Sequence, residues 1–131
     1  MTPLMCLAAA VFFEARDQPL EGQRAVAEVV LNRVASPRWP DEVCDVVFER
    51  KQFSFTHDGK HDRYWEHMDN VFDRQAVRIA EAVAISALDG DKIGLTSTHY
   101  HATYVTPSWS NHYKRDGQIG SHIFYTAPEG K

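Results

Sequence analysis

Two cysteines, Cys6 and Cys44, are all that the 131 residues contain. That is too few for a disulfide scaffold or a four-cysteine zinc site. Closing the loop between them would be worth about 4 kcal/mol in the chain-entropy account. Both sit in apolar helical contexts, however, and two separate buried thiols is the reading preferred here. No apolar run reaches the roughly 18 residues of a membrane-spanning helix. There is no basic excess either: the net charge of −4 argues against wholesale nucleic-acid binding and against attraction to an anionic membrane. Internal repeats, low-complexity tracts and linkers are missing. The apolar stretch 4–13 has no basic residue before it and runs directly into Phe13-Glu14-Ala15-Arg16. It therefore reads as a helix of the mature chain and not as a signal peptide.

What is present suffices for one domain spanning 1–131. Hydrophobic residues make up 44% and charged residues 24%, enough for a core without staples. Leu4, Leu7, Ala8, Val11, Phe12 and Ala15 recur at helical spacing and make one apolar stripe. After Gly22 a second stripe follows in Ala25, Val26, Val29, Val30 and Val34, ending before Ser36-Pro37. Pro40 suits a first helical turn, with Val43, Val46, Val47 and Phe48 forming a short third helix. Residues 52–55 read as a short extended piece, 57–60 as a turn and 61–70 as a polar surface loop carrying Tyr64 and Trp65. Phe72, Ala76, Ile79, Ala80, Val83 and Ala87 mark a long core helix over 71–88, stopped by Asp89-Gly90. The remainder is irregular and aromatic. The expectation is a mostly helical α+β domain with a small extended part.

Glu14 is the first candidate for chemistry. It lies at the edge of the first helix's apolar stripe and near that helix's C-terminal end. Partial burial and the negative end of the helix dipole both disfavour its ionised form. A carboxyl group held protonated is what a general acid for glycoside cleavage requires. The plainer alternative is a glutamate that ends an amphipathic helix and pairs with Arg16 or Arg33.

Several blocks bear on that choice: Phe13-Glu14-Ala15-Arg16, then Glu21-Gly22-Gln23, then Val30-Leu31-Asn32-Arg33-Val34. Pro40-Asp41-Glu42-Val43-Cys44, Gln52-Phe53-Ser54-Phe55, Thr98-His99-Tyr100-His101-Ala102, Trp109 and Gly120-Ser121-His122-Ile123-Phe124-Tyr125 follow in order. Together they resemble the SleB-like cell-wall hydrolase family over nearly the whole chain. The resemblance implies a lysozyme-like, lytic-transglycosylase-like single domain that cuts peptidoglycan glycan strands, with Glu14 as its catalytic glutamate and no cofactor. It places Ser54 beside that glutamate and puts Gln52, Phe53, Tyr100, His101 and Trp109 among the residues facing substrate. His101 stands where the family pattern has asparagine. Lys51 and His57 stand where many relatives carry cysteine.

The reaction depends on how many carboxylates take part. A glycosidase with water as nucleophile needs a second carboxylate, for which Asp58 and Asp62 are the candidates next to the 52–55 piece. A lytic transglycosylase needs Glu14 alone and yields 1,6-anhydro-muramic acid, and it is the reading preferred. Seven histidines raise a zinc-amidase alternative through His57, His61, His99 and His101, but no H-E-x-x-H signature accompanies them. No metal is therefore expected. A glycan-binding module without turnover is the alternative from outside enzymology. The expected partner is the glycan strand, met by a monomer at the cell wall. Without a leader, the chain fits a holin-released phage or prophage endolysin, or a trimmed domain of a secreted protein.

Overall fold

Helix α1 (Pro3–Ala15) starts where the Thr2 hydroxyl accepts from the Met5 N–H at 3.1 Å, with proline in the first turn where its missing N–H costs nothing. The computed structural model describes residues 1–49 and 63–128. The sequence pattern suggested one buried stripe for α1, yet every residue from Cys6 through Phe12 is at most 1% exposed. α1 is the central helix, wrapped by α2 (Leu20–Val34), α3 (Val43–Val47) and α4 (Val71–Leu88). Ala8, Ala9 and Ala10 make this possible, because small side chains let three neighbouring helices approach one axis.

The long helix α4 is capped by Asn70, whose Oδ1 accepts from the Asp73 N–H. It buries Val77, Ala80, Val83, Ala84 and Ala87. Phe72 and Ile79, expected in the core, are 74% and 41% exposed. The buried face is set by the small and β-branched residues that fit against α1, and the two large side chains fall outside that arc. Tyr64, expected on a surface loop, is 1% exposed in a short 3₁₀ turn, with its hydroxyl donating to Glu81 at 2.8 Å.

Cys6 and Cys44 are joined by a disulfide, which corrects the expectation of separate thiols. α3 packs against α1 and brings the two sulfurs together, an adjacency that helical context alone did not reveal.

Within the stretch read as irregular, three strands form an antiparallel sheet in the order β1 (His99–Ala102), β3 (His122–Thr126), β2 (Lys114–Ile119). Tyr100 stands opposite Phe124, and Ala102 opposite His122. The β2–β3 turn passes through Gly120 at φ 59°, where a side chain would also run into Gln18 and Pro19. The Ser121 N–H donates to Gln18 Oε1 at 2.8 Å, which pins the hairpin tip to the α1–α2 connection. Phe124 joins Ala15, Ala25, Val26 and Val29 in a second apolar cluster between α2 and the sheet, and Tyr100 packs against both clusters. Residues 52–55 and the turn at 57–60 lie outside the described residues.

Candidate active site

Three side chains of α2 decide where β1 sits. Glu28 is 2% exposed. Its carboxylate accepts the backbone N–H groups of Ile93, Gly94 and Leu95 at 2.6, 3.0 and 3.0 Å. One turn later, Asn32 Nδ2 donates to the carbonyls of Leu95 and Ser97, and Arg33 Nε donates to that of Thr98 at 2.7 Å. Positions 28 and 32, four apart, share one face of the helix, and Arg33 reaches the next carbonyl from the adjoining side, so α2 grips residues 93–98. β1 begins directly after them.

The consequence is that Tyr100 reaches α1. Its hydroxyl donates to Glu14 Oε1 at 2.7 Å. Burial first, and then the adjacent Glu14 carboxylate, push the phenol well above its ordinary range. Tyr100 therefore remains an O–H donor at any working pH. Arg16, a suggested partner for Glu14, is held elsewhere: it pairs with Asp73 at 2.6 Å and lies over the Phe12 ring.

Glu14 is half-buried in the last turn of α1. It opens onto a cavity of about 360 Å³ lined also by Phe13, Asp17, Ala102, Tyr104 and His122. Tyr104 stands at the lip, 86% exposed. The β1 alternation explains the membership, because every second residue faces the helices. Tyr100 and Ala102 turn towards Glu14, while His99 and His101 turn to the opposite face.

On that opposite face His99, His101, Trp109, Tyr113 and Tyr125 form a continuous aromatic cluster, with centroid separations between 4.9 and 5.6 Å. His101 Nδ1 meets the Ala102 carbonyl at 2.7 Å, and Nε2 meets the Tyr125 hydroxyl at 2.9 Å. The carbonyl only accepts, so Nδ1 carries a proton. Both ring nitrogens are thus engaged within the protein. The His99 imidazole is pushed down to about 4 by burial, with the Arg33 and Arg38 guanidiniums adding to the effect.

Of the residues singled out from sequence, the structure brings Glu14 and Tyr100 together. It sets His101 and Trp109 with each other across the sheet from them. Gln52, Phe53, Ser54, Asp58, Asp62, His57 and His61 lie outside the described residues. No group of three potential ligands for a metal occurs among the described residues. The plainer expectation for His122 from sequence is a structural role, and no motif singles out Glu28. The signal for His122 was its parity with Phe124 in the last block; for Glu28 it was a glutamate among valines and alanines on a core helix.

A half-buried carboxyl group beside a cavity, oriented by a phenol that keeps its proton, is suited to passing one proton to a bound molecule and taking one back. Residues 17–125 match the cell wall hydrolase family, a span that begins just after Glu14. The chain belongs to the cell wall hydrolase family. It is 35% identical over 122 residues to a spore cortex-lytic enzyme of Oceanobacillus iheyensis, covering 92% of this chain and 40% of that one. To the spore cortex-lytic enzyme of Bacillus subtilis it is 35% identical over 120 residues, covering 90% and 35%. This member of the family thus spans about 40% or less of the length of these two curated relatives.

Among solved structures, the catalytic domain of the germination-specific lytic transglycosylase SleB from Bacillus anthracis matches with a TM-score of 0.76 at 30% identity, over 95% of this chain and 93% of that one. The catalytic domain of Bacillus cereus SleB matches at 0.69 and 31%, over 95% and 89%. The fold is accordingly the lysozyme-like, mostly helical α+β class that the sequence blocks implied. No helix among the described residues is long and apolar enough to cross a membrane.

Proposed function

We propose that this chain cleaves peptidoglycan glycan strands between N-acetylmuramic acid and N-acetylglucosamine as a lytic transglycosylase, working as a monomer at the cell wall. The observation that carries the reading is the Tyr100–Glu14 hydrogen bond at the edge of the cavity. Kinship with a catalytic domain named as a lytic transglycosylase supports it.

In the proposed reaction Glu14 gives its proton to the glycosidic oxygen as the bond to C1 of muramic acid breaks. The resulting carboxylate takes the proton of the sugar's own C6 hydroxyl while that oxygen closes onto C1. Glu14 ends as it began, and no water is consumed. Tyr100 touches the carboxyl group through both steps and holds its plane. Asp17, exposed on the cavity wall, is the other carboxylate among the described lining residues. If it activated water, the products would carry reducing ends.

Mass spectrometry of digested peptidoglycan, with Glu14→Gln in parallel, tests this. The expected products are muropeptides ending in 1,6-anhydro-muramic acid, absent with the variant. Products heavier by one water would replace transglycosylation by hydrolysis. A variant as active as the parent would remove Glu14 from the chemistry, and freed peptides on uncut glycan would overturn glycan cleavage altogether.

A further inference from the structure

His122 is 8% exposed, and its Nδ1 is buried with no hydrogen-bond partner. The same ring lines the Glu14 cavity. A buried N–H without an acceptor is rarer and more costly than an unused lone pair. The neutral ring therefore keeps its lone pair on Nδ1 and its proton on Nε2, the nitrogen left to meet the cavity. Burial, and secondarily the nearby His101, push this imidazole down, so it is an uncharged donor near neutral pH. It does not compete with Glu14 as an acid.

The ring is also held in place. It packs on Tyr100 at a centroid distance of 4.8 Å and edge-on to Phe124 at 6.2 Å. The turn before it is fixed by the bond from the Ser121 N–H to Gln18. A donor held this way needs little reorganisation when a ligand arrives.

We propose that His122 is a substrate-binding residue whose Nε2–H donates to an acetamido carbonyl oxygen of the glycan lying in the Glu14 cavity. An amide carbonyl is the strongest uncharged acceptor on an N-acetylated sugar and suits a neutral donor. The assignment rests on the glycan-cleaving reading above.

The test uses the Glu14→Gln protein, which should bind without turnover, and a soluble N-acetylglucosamine tetramer as probe. Nitrogen-15 imidazole spectra are expected to show His122 protonated on Nε2, with that signal moving as the tetramer is added. A proton on Nδ1 overturns the donor assignment whatever the reaction is. Shifts at Tyr104 and Ala102 with none at His122 overturn the contact but leave glycan binding standing. No shift at any cavity residue overturns the glycan reading and this proposal with it. In kinetics on peptidoglycan, His122→Phe keeps the packing and should raise KM by about tenfold with kcat little changed. His122→Gln, which restores a donor near Nε2, should recover most of that loss. Equal loss of kcat in both variants would mean that the ring serves only to pack.

Discussion

Tyr100 and Glu14, 86 positions apart in the chain, meet through a 2.7 Å hydrogen bond in which the phenol donates to the carboxylate. The ring is fixed on its other side by Phe124 and His122, so the carboxyl group is oriented by a rigid partner. Tyr100→Phe preserves the packing and removes only this bond. A hydrogen bond to a charged group is worth about 1.5–3 kcal/mol, so glycan-cleaving kcat should fall by roughly ten- to a hundredfold. The same bond is made in the free protein, so thermal unfolding should also move to lower temperature, by a loss of the same order. Full retention of kcat would show that Glu14 needs no orientation from Tyr100.

Glu28 acts at a distance from the cavity through the segment it holds. Replacing it by alanine leaves the N–H groups of Ile93, Gly94 and Leu95 without their acceptor. The expected cost is about 3 kcal/mol or more, read as a lowered urea midpoint, with activity falling as β1 loses its seat. Glu28→Gln keeps an acceptor oxygen and should lose less.

The Cys6–Cys44 bond closes a loop of sequence separation 38. By the chain-entropy account its removal costs about 4 kcal/mol. Denaturation of the oxidised protein and of Cys44→Ser should differ by an amount of that order. Coincident unfolding curves would mean that the loop gains nothing from closure.

His99 imposes a pH dependence on stability. Its folded imidazole is pushed to about 4 by burial, Arg33 and Arg38, against about 6.5 in an unfolded chain. Between these values the unfolded state binds the proton and the folded state does not, so unfolding gains with acid. Stability attributable to His99 is complete above pH 6.5 and drains away as pH falls towards 4. His99→Phe should flatten the fall of Tm across that window. An imidazole titration near 6.5 by proton resonance would contradict the burial argument.

The long helices were legible in the chain because they follow from local periodicity. Periodicity places α4 at 71–88, the limits observed, while Glu14 is assigned as catalytic by the family resemblance. The choice of buried face was less legible. Phe72 and Ile79 are large and apolar, yet α4 meets α1 through smaller residues, and packing shape outranked hydrophobicity. Tyr64 was hidden for the reverse reason: its hydroxyl partner, Glu81, lies on a different element.

Sequence alone determined the helical frame, the polar residues at the ends of its helices and the family blocks that single out Glu14. Tertiary structure decided the sheet, whose strands pair across the chain, and with it the parity that sends Tyr100 to Glu14 and His101 and Trp109 to the opposite face. It also decided that Cys6 and Cys44 are bonded. In a strand each residue's face depends on the register of its neighbours and on what holds the strand in place. Here that is the grip of Glu28, Asn32 and Arg33 on the residues before β1, a contact between segments more than sixty residues apart.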